Sequence, residues 1–129
     1  VTMVIGIYDS NKKELLLSNA GHEPPLIFSK GETFSNLEEA GPPLGIAPKF
    51  KFNEKLISFK ESSMYIFTDG ITEMKDTNGE MLGQEGFQNY IKKYQNTVNS
   101  QRLKKIIEDL IKSGRIQKDD LTIVAIDSK

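Results

Sequence analysis

Carboxylates placed at the ends of apolar runs are the residues of this sequence whose type and spacing suggest chemistry. Asp69 directly follows the run Met64–Thr68 (MYIFT), and Asp119 with Asp120 directly precedes Leu121–Ile126 (LTIVAI). If the two runs are neighbouring strands, these acids meet although they are far apart in the chain. Carboxylates at strand ends are held by rigid elements yet stay accessible, which suits hard, oxygen-seeking cations such as Mg²⁺ or Mn²⁺. Gly70 lets the backbone turn sharply after Asp69. Glu73 lies four residues beyond Asp69, so a helical turn would put both carboxylates on one side and make Glu73 an outer ligand. A plainer reading stays open, in which Asp69 and Gly70 form an ordinary turn and Asp119 and Asp120 are polar residues flanking a strand.

Other reactive-looking residues read as structural. His22, the only histidine, is of a type suited to general acid catalysis. It sits in the loop Asn19–Pro25 (NAGHEPP), however, where a hydrogen-bonded loop histidine is the simpler assignment. Asp76, Thr77, Asn78, Gly79 and Glu80 have the look of a calcium loop, but the glycine comes too early for an EF-hand and later ligands are missing, so the segment reads as a turn. Lys92, Lys93, Lys104, Lys105 and Lys112 fall on polar helical positions and read as a solvated face. Phe87, Tyr90 and Tyr94 read as core.

The elements that must position these residues follow from apolar periodicity. Val1–Tyr8 reads as a buried strand, Asp9–Asn11 as a turn and Glu14–Ser18 as a second strand, together a hairpin. After the loop at Asn19–Pro25, Leu26–Phe28 and Thr33–Leu37 suggest another hairpin turning at Lys30 and Gly31. Gly41, Pro42, Pro43, Leu44 and Gly45 then break regularity. Phe50, Phe52, Leu56, Ile57 and Phe59 suggest further strand with an irregularity near Asn53, and Met64–Thr68 is of central-strand type. Phe87, Tyr90, Ile91 and Tyr94 recur with helical spacing, as do Leu103, Ile106, Ile107, Leu110 and Ile111. Asn99 or Ser100 is placed to cap the second helix, and Gly114 to end it. Leu121–Ile126 closes the chain as a strand, so the expected class is α+β: mainly antiparallel sheet with a late helix pair.

The 129 residues, 37% hydrophobic and 27% charged, suit one domain. Seventeen Lys and Arg against eighteen Asp and Glu leave a net charge of −1, which speaks against a nucleic-acid or anionic-lipid partner. The lack of cysteine excludes disulfides, thiolate metal sites and cysteine nucleophiles. No apolar run approaches the roughly 18 residues of a membrane span, and no signal-peptide pattern opens the chain. A strand at the first residue without an initiator methionine is the pattern expected of a chain cut inside a domain.

Thr68-Asp69-Gly70-Ile71-Thr72-Glu73, followed by Gly79, Glu80 and Gly83, resembles the signature of metal-dependent (PPM, type 2C) protein phosphatases. Asn19–Pro25, Gly41–Gly45 and Asp119-Asp120-Leu121-Thr122 join it in the order found in the bacterial stage II sporulation protein E branch, and the likeness runs from the first strand to the last. The resemblance implies an α/β/β/α fold, a β-sandwich of mainly antiparallel strands flanked by helices. Residues 1–129 would be the later, N-terminally truncated part of a single domain. It implies a dinuclear Mn²⁺ or Mg²⁺ site with a bridging water as nucleophile, acting on phosphoserine or phosphothreonine. By motif position Asp69 and Asp119 are direct metal ligands, Glu73 a water-mediated or third-metal ligand, Asp120 a supporting or strand-positioning group, and Gly70 and His22 turn and loop residues near the site.

The family's earlier bridging Asp, in a motif Asp-x-x-Gly-His-Gly, has no counterpart in this sequence. The fragment alone is therefore expected to be inactive, with the missing part upstream of Val1. The branch further implies a phosphorylated anti-sigma-factor antagonist as substrate, partner-switching signalling and upstream sensor domains; the expected location is cytoplasmic, with a membrane tether on the parent left open. A phosphatase-like interaction module without hydrolysis is the alternative. Sheets lacking their first strands would expose edges and apolar faces, so a homo-oligomer through sheet edges is also expected.

Overall fold

Alternation of apolar and polar residues sets the opening hairpin. In the computed structural model, which describes residues 1–29, 33–36 and 41–128, Met3–Asp9 (β1) pairs antiparallel with Glu14–Ala20 (β2), Met3 opposite Ala20 and Asp9 opposite Glu14. The turn closes on Asp9, whose Oδ1 accepts the backbone N–H groups of Asn11 (2.9 Å) and Lys12 (3.0 Å). Those donors, Lys12 foremost, hold the Asp9 carboxyl below its usual range. Lys55–Ser58 (β5) pairs antiparallel with the other edge of β2, giving the order β1-β2-β5.

A second sheet has the order β4-β3-β6-β7, built from Leu26–Ser29 (β3), Thr33–Asn36 (β4), Ser62–Phe67 (β6) and Ile123–Asp127 (β7). β3 runs antiparallel to both β4 and β6. Leu15 and Leu17, successive inward positions of β2, cluster with Ile27, Phe59 and Met64 in a sandwich core. The helices are Asp69–Thr72 (α1), Gly83–Tyr94 (α2) and Asn99–Lys112 (α3). Phe87, Ile91, Ile106 and Leu110 are fully buried, as their spacing predicts. Phe87 meets Phe67 edge to face at 4.9 Å between ring centroids. Contacts gather the chain into two compact units, Val1–Ile66 with Ile126–Lys129, and Phe67–Ala125.

The α+β class with mainly antiparallel sheets is as expected, but several local expectations are not met. β1 is not buried: Ile5 is 58% and Ile7 67% exposed, because β1 is an edge strand and only its Val4 side packs against the core cluster. Phe50 and Phe52 form no strand. They stack edge to face at 5.0 Å instead, and they crowd Gly41 so closely that a Cβ there would lie 2.7 Å from the Phe52 ring and 2.8 Å from Phe50. Neither Asn99 nor Ser100 caps α3. The Val98 carbonyl takes that place, accepting from Gln101 (2.9 Å) and Arg102 (3.0 Å). Gly114, at φ +76°, ends α3 as its permissive backbone allows. Lys93 is not merely solvated: its Nζ lies 2.6 Å from Asp109 Oδ2, to which Tyr94 also donates at 2.9 Å, and this joins α2 to α3. The turn at Lys30 and Gly31 and the strand end at Leu37 lie outside the described residues.

Candidate metal centre

The unit Phe67–Ala125 holds both acidic segments. β6 ends at Phe67, and Thr68 follows in extended conformation (φ −91°, ψ 158°) before the single helical turn α1. The turn is closed by Ile71 N–H to Thr68 C=O (3.2 Å) and by Glu73 N–H to Asp69 C=O (2.9 Å). Thr72 Oγ1 also donates to Asp69 C=O at 3.2 Å. The helical turn that would put Asp69 and Glu73 on one side is therefore present.

The second acidic segment is held against the first by the hydroxyl and backbone N–H of Thr68. Thr68 N–H donates to Thr122 C=O (3.2 Å), Thr68 Oγ1 donates to Asp120 C=O (3.2 Å), and Thr122 N–H donates back to Thr68 Oγ1 (3.1 Å). A Cβ on Gly70 would fall 2.4 Å from the Asp120 carbonyl oxygen and 3.5 Å from that of Asp119. Only a residue without a side chain fits there, so the glycine is needed for this close approach rather than for its dihedrals. Further along, Lys75 and Ile116 form an isolated antiparallel bridge. Arg115 Nη1 donates to the carbonyls of Met74 and Glu80, each at 3.2 Å.

The structure thus brings Asp69 and Gly70 beside Asp119 and Asp120, with Glu73 one turn from Asp69. All four acids are exposed. Asp119 Oδ1 accepts the N–H of Asp120 at 2.8 Å, and Gln117 Nε2 donates to Asp119 C=O at 3.0 Å. Asp120 meets Thr68 through its backbone carbonyl. Accessible carboxylates on rigid, adjoining segments are the donor chemistry of a hard-cation site, so the residues present fit part of one. Among the described residues no group of three or more His, Cys, Asp or Glu gathers closely enough to hold an ion. Sequence reasoning did not single out Thr68 or Arg115. Thr68 stands in the sequence as the first residue of the Thr68–Glu73 signature, with no role assigned to it.

Two other motifs are knitted together within the first unit. Asn19, buried at 5% exposure, receives His22 N–H on Oδ1 (3.0 Å) and donates from Nδ2 to His22 C=O (2.9 Å). Its carbonyl accepts Gly41 N–H at 3.0 Å. A Cβ on Gly21 (φ +69°) would strike Pro43 at 2.6 Å. His22 Nδ1 donates to Glu23 C=O at 2.8 Å, which requires the proton on Nδ1. His22 is therefore engaged in shaping its loop. The Asp76 segment is a turn as expected, Asp76 Oδ1 accepting the N–H groups of Asn78 (2.9 Å) and Glu80 (3.0 Å).

The sequence matches the stage II sporulation protein E (SpoIIE) family over residues 1–129. The chain belongs to the SpoIIE family. It is 30% identical over 132 residues to the phosphoserine phosphatase RsbU of Bacillus subtilis, covering 100% of this chain and 39% of RsbU. The RsbU and RsbW domains of Rv1364c from Mycobacterium tuberculosis superpose with a TM-score of 0.77 at 22% identity, over 96% of this chain and 35% of that one. The manganese-presoaked phosphatase domain of SpoIIE from Bacillus subtilis superposes with a TM-score of 0.71 at 17% identity, over 98% of this chain and 56% of that one. The SpoIIE-family chain thus has the type 2C phosphatase fold and spans well under two thirds of the length of these relatives. Among its described residues no helix is long and apolar enough to cross a membrane.

Proposed function

We propose that this SpoIIE-family chain is part of a metal-dependent phosphatase domain that removes phosphate from phosphoserine or phosphothreonine on a protein. The observation that carries the reading is the meeting of Thr68–Gly70 with Asp119–Thr122. Asp69 and Asp119 would hold Mn²⁺ or Mg²⁺, with Glu73 as a water-mediated or third-metal ligand. Asp120 and Gly70 fix the backbone between them, and His22 shapes a loop. When bound, the cations would neutralise phosphoryl oxygens and favour ionisation of water, the two difficulties in attacking a phosphomonoester dianion. The chain's own acids supply charge and hard oxygen donors, and no covalent nucleophile from the protein is needed.

The likeness to RsbU supports a phosphorylated protein, of the anti-sigma-factor-antagonist type, as the substrate in bacterial partner switching. Residues 1–129 read as one domain in this proposal, acting in the cytoplasm. Because the 129 residues lack Asp-x-x-Gly-His-Gly, brisk Mn²⁺-dependent hydrolysis is expected only from a polypeptide that joins them to such a segment. Release of phosphate from a phosphoserine protein by that polypeptide, and its loss by Asp69→Asn, is the expected result. Hydrolysis indifferent to Asp69→Asn overturns the assignment. A second reading is a phosphatase-like interaction module, for which that polypeptide would bind the phosphoprotein without hydrolysing it. The β1 edge further supports self-association with a second copy: Ile5 and Ile7 are exposed, and Val1–Tyr8 carries no charged side chain to oppose strand pairing. A monodisperse monomer by light scattering at high concentration overturns that.

A further inference from the structure

Thr68 has no ligand role in the reading above, yet its hydrogen bonds are the ones that join the two acidic segments. Its hydroxyl works in both directions at once, donating to Asp120 C=O (3.2 Å) and accepting Thr122 N–H (3.1 Å). Its backbone N–H adds a third bond, to Thr122 C=O at 3.2 Å. Serine retains the two hydroxyl bonds; valine, of nearly the same shape, retains neither. On the far side of Asp69, Gly70 lies against the Asp120 carbonyl. Asp69 is therefore flanked by Thr68, bonded to the segment that carries Asp119, and by Gly70, packed against it.

Such a clamp has a physical task. Two ionised carboxylates on exposed turns repel each other, and with free backbones they would separate until a cation forced them together at a cost in ordering. Preset spacing removes that cost from the binding step. Arg115 is a less direct candidate, since the carbonyls it grips, those of Met74 and Glu80, are not next in sequence to Asp69 or Asp119.

We propose that Thr68 is the positioning residue of the acidic pair, a hydroxyl clamp that holds the Asp69 turn against Asp120–Thr122 so that one divalent cation meets both Asp69 and Asp119. This rests on the metal reading of the proposed function. The test compares the unsubstituted chain with Thr68→Val, Thr68→Ser and Asp69→Asn, reading Mn²⁺ affinity by calorimetry and amide exchange at Thr122. Thr68→Val is expected to weaken Mn²⁺ binding about tenfold, the lower end for residues that orient metal ligands, and to speed exchange at Thr122. Thr68→Ser is expected to restore both, which a purely packing role for the γ-methyl would not. Unchanged affinity in Thr68→Val while Asp69→Asn is impaired overturns the clamp alone. Equal loss in Val and Ser also overturns it, in favour of packing. Absence of Mn²⁺ binding in the unsubstituted chain overturns the metal reading, and the proposal with it.

Discussion

Asp9 and Asp76 on one hand, and Asp69 and Asp119 on the other, look alike as sequence: each lies in a polar break of the chain. Their carboxylates do different work. Asp9 accepts the N–H groups of Asn11 and Lys12, and Asp76 those of Asn78 and Glu80, so each closes its own turn. Asp69 receives hydrogen bonds on its backbone carbonyl, from Glu73 and Thr72, and its carboxylate takes none from any described residue. The Asp119 carboxylate accepts a single bond among the described residues, from the N–H of Asp120. An aspartate that completes a turn contributes to stability, whereas one held in place by backbone bonds and left open is available to a cation. The pairing of the second kind with a partner acid is what separates the candidate site from ordinary loops.

The widest contrast should appear in metal affinity. Asp69→Asn is expected to lower Mn²⁺ affinity by more than the ~10-fold expected of Thr68→Val with little change in the urea midpoint, and Asp119→Asn to behave alike. Calorimetry beside urea melts checks both, and equal Mn²⁺ binding by the Asp69→Asn chain would remove Asp69 from the site. Gly70→Ala should act on both axes. Its Cβ would meet the Asp120 carbonyl at 2.4 Å, so the two segments must part, costing about 1–3 kcal/mol of stability and much of the metal affinity. A variant as stable as the parent in urea would show that the contact is easily relaxed.

Asp76→Ala should show the reverse profile to Asp69→Asn: about 1 kcal/mol of stability lost from the turn bonds, with Mn²⁺ affinity unchanged. Any large loss of affinity there would blur the distinction between the two kinds of aspartate. The smallest effect concerns acid. Backbone donors depress the folded carboxyl of Asp9 below its ordinary value of 3.8. Its contribution is therefore present above that value and is lost as pH falls through the lower folded value. Urea midpoints followed from about pH 5 to about pH 2 should fall less steeply for Asp9→Asn than for the parent. Parallel curves would mean that the Asp9 turn adds nothing.

The helices α2 and α3 were legible because Phe87, Ile91, Ile106 and Leu110 repeat at the spacing that lines one face, and all four are buried. Most strands were legible for the same reason at a period of two. Phe50 and Phe52 misled because aromatic residues favour strands and also fill loops, and here they cover Gly41. β1 misled because an apolar strand has the same composition at an edge as in a centre. The candidate acids could be named from their strand-end positions, but the hydroxyl clamp of Thr68 could not, since its partners Asp120 and Thr122 are distant in the chain.

Local order along the chain by itself determined most of the strands and both long helices, which acids end them, and which family motifs stand in succession. Those properties rest on periodicity, turn chemistry and residue type, all of which act over a few neighbours. Only the tertiary structure decided that Thr68–Gly70 meets Asp119–Thr122 and that β1 is left at an edge. Each of these depends on which backbone groups find partners across long separations, and the choice among many equally polar loops is made by packing of the whole fold.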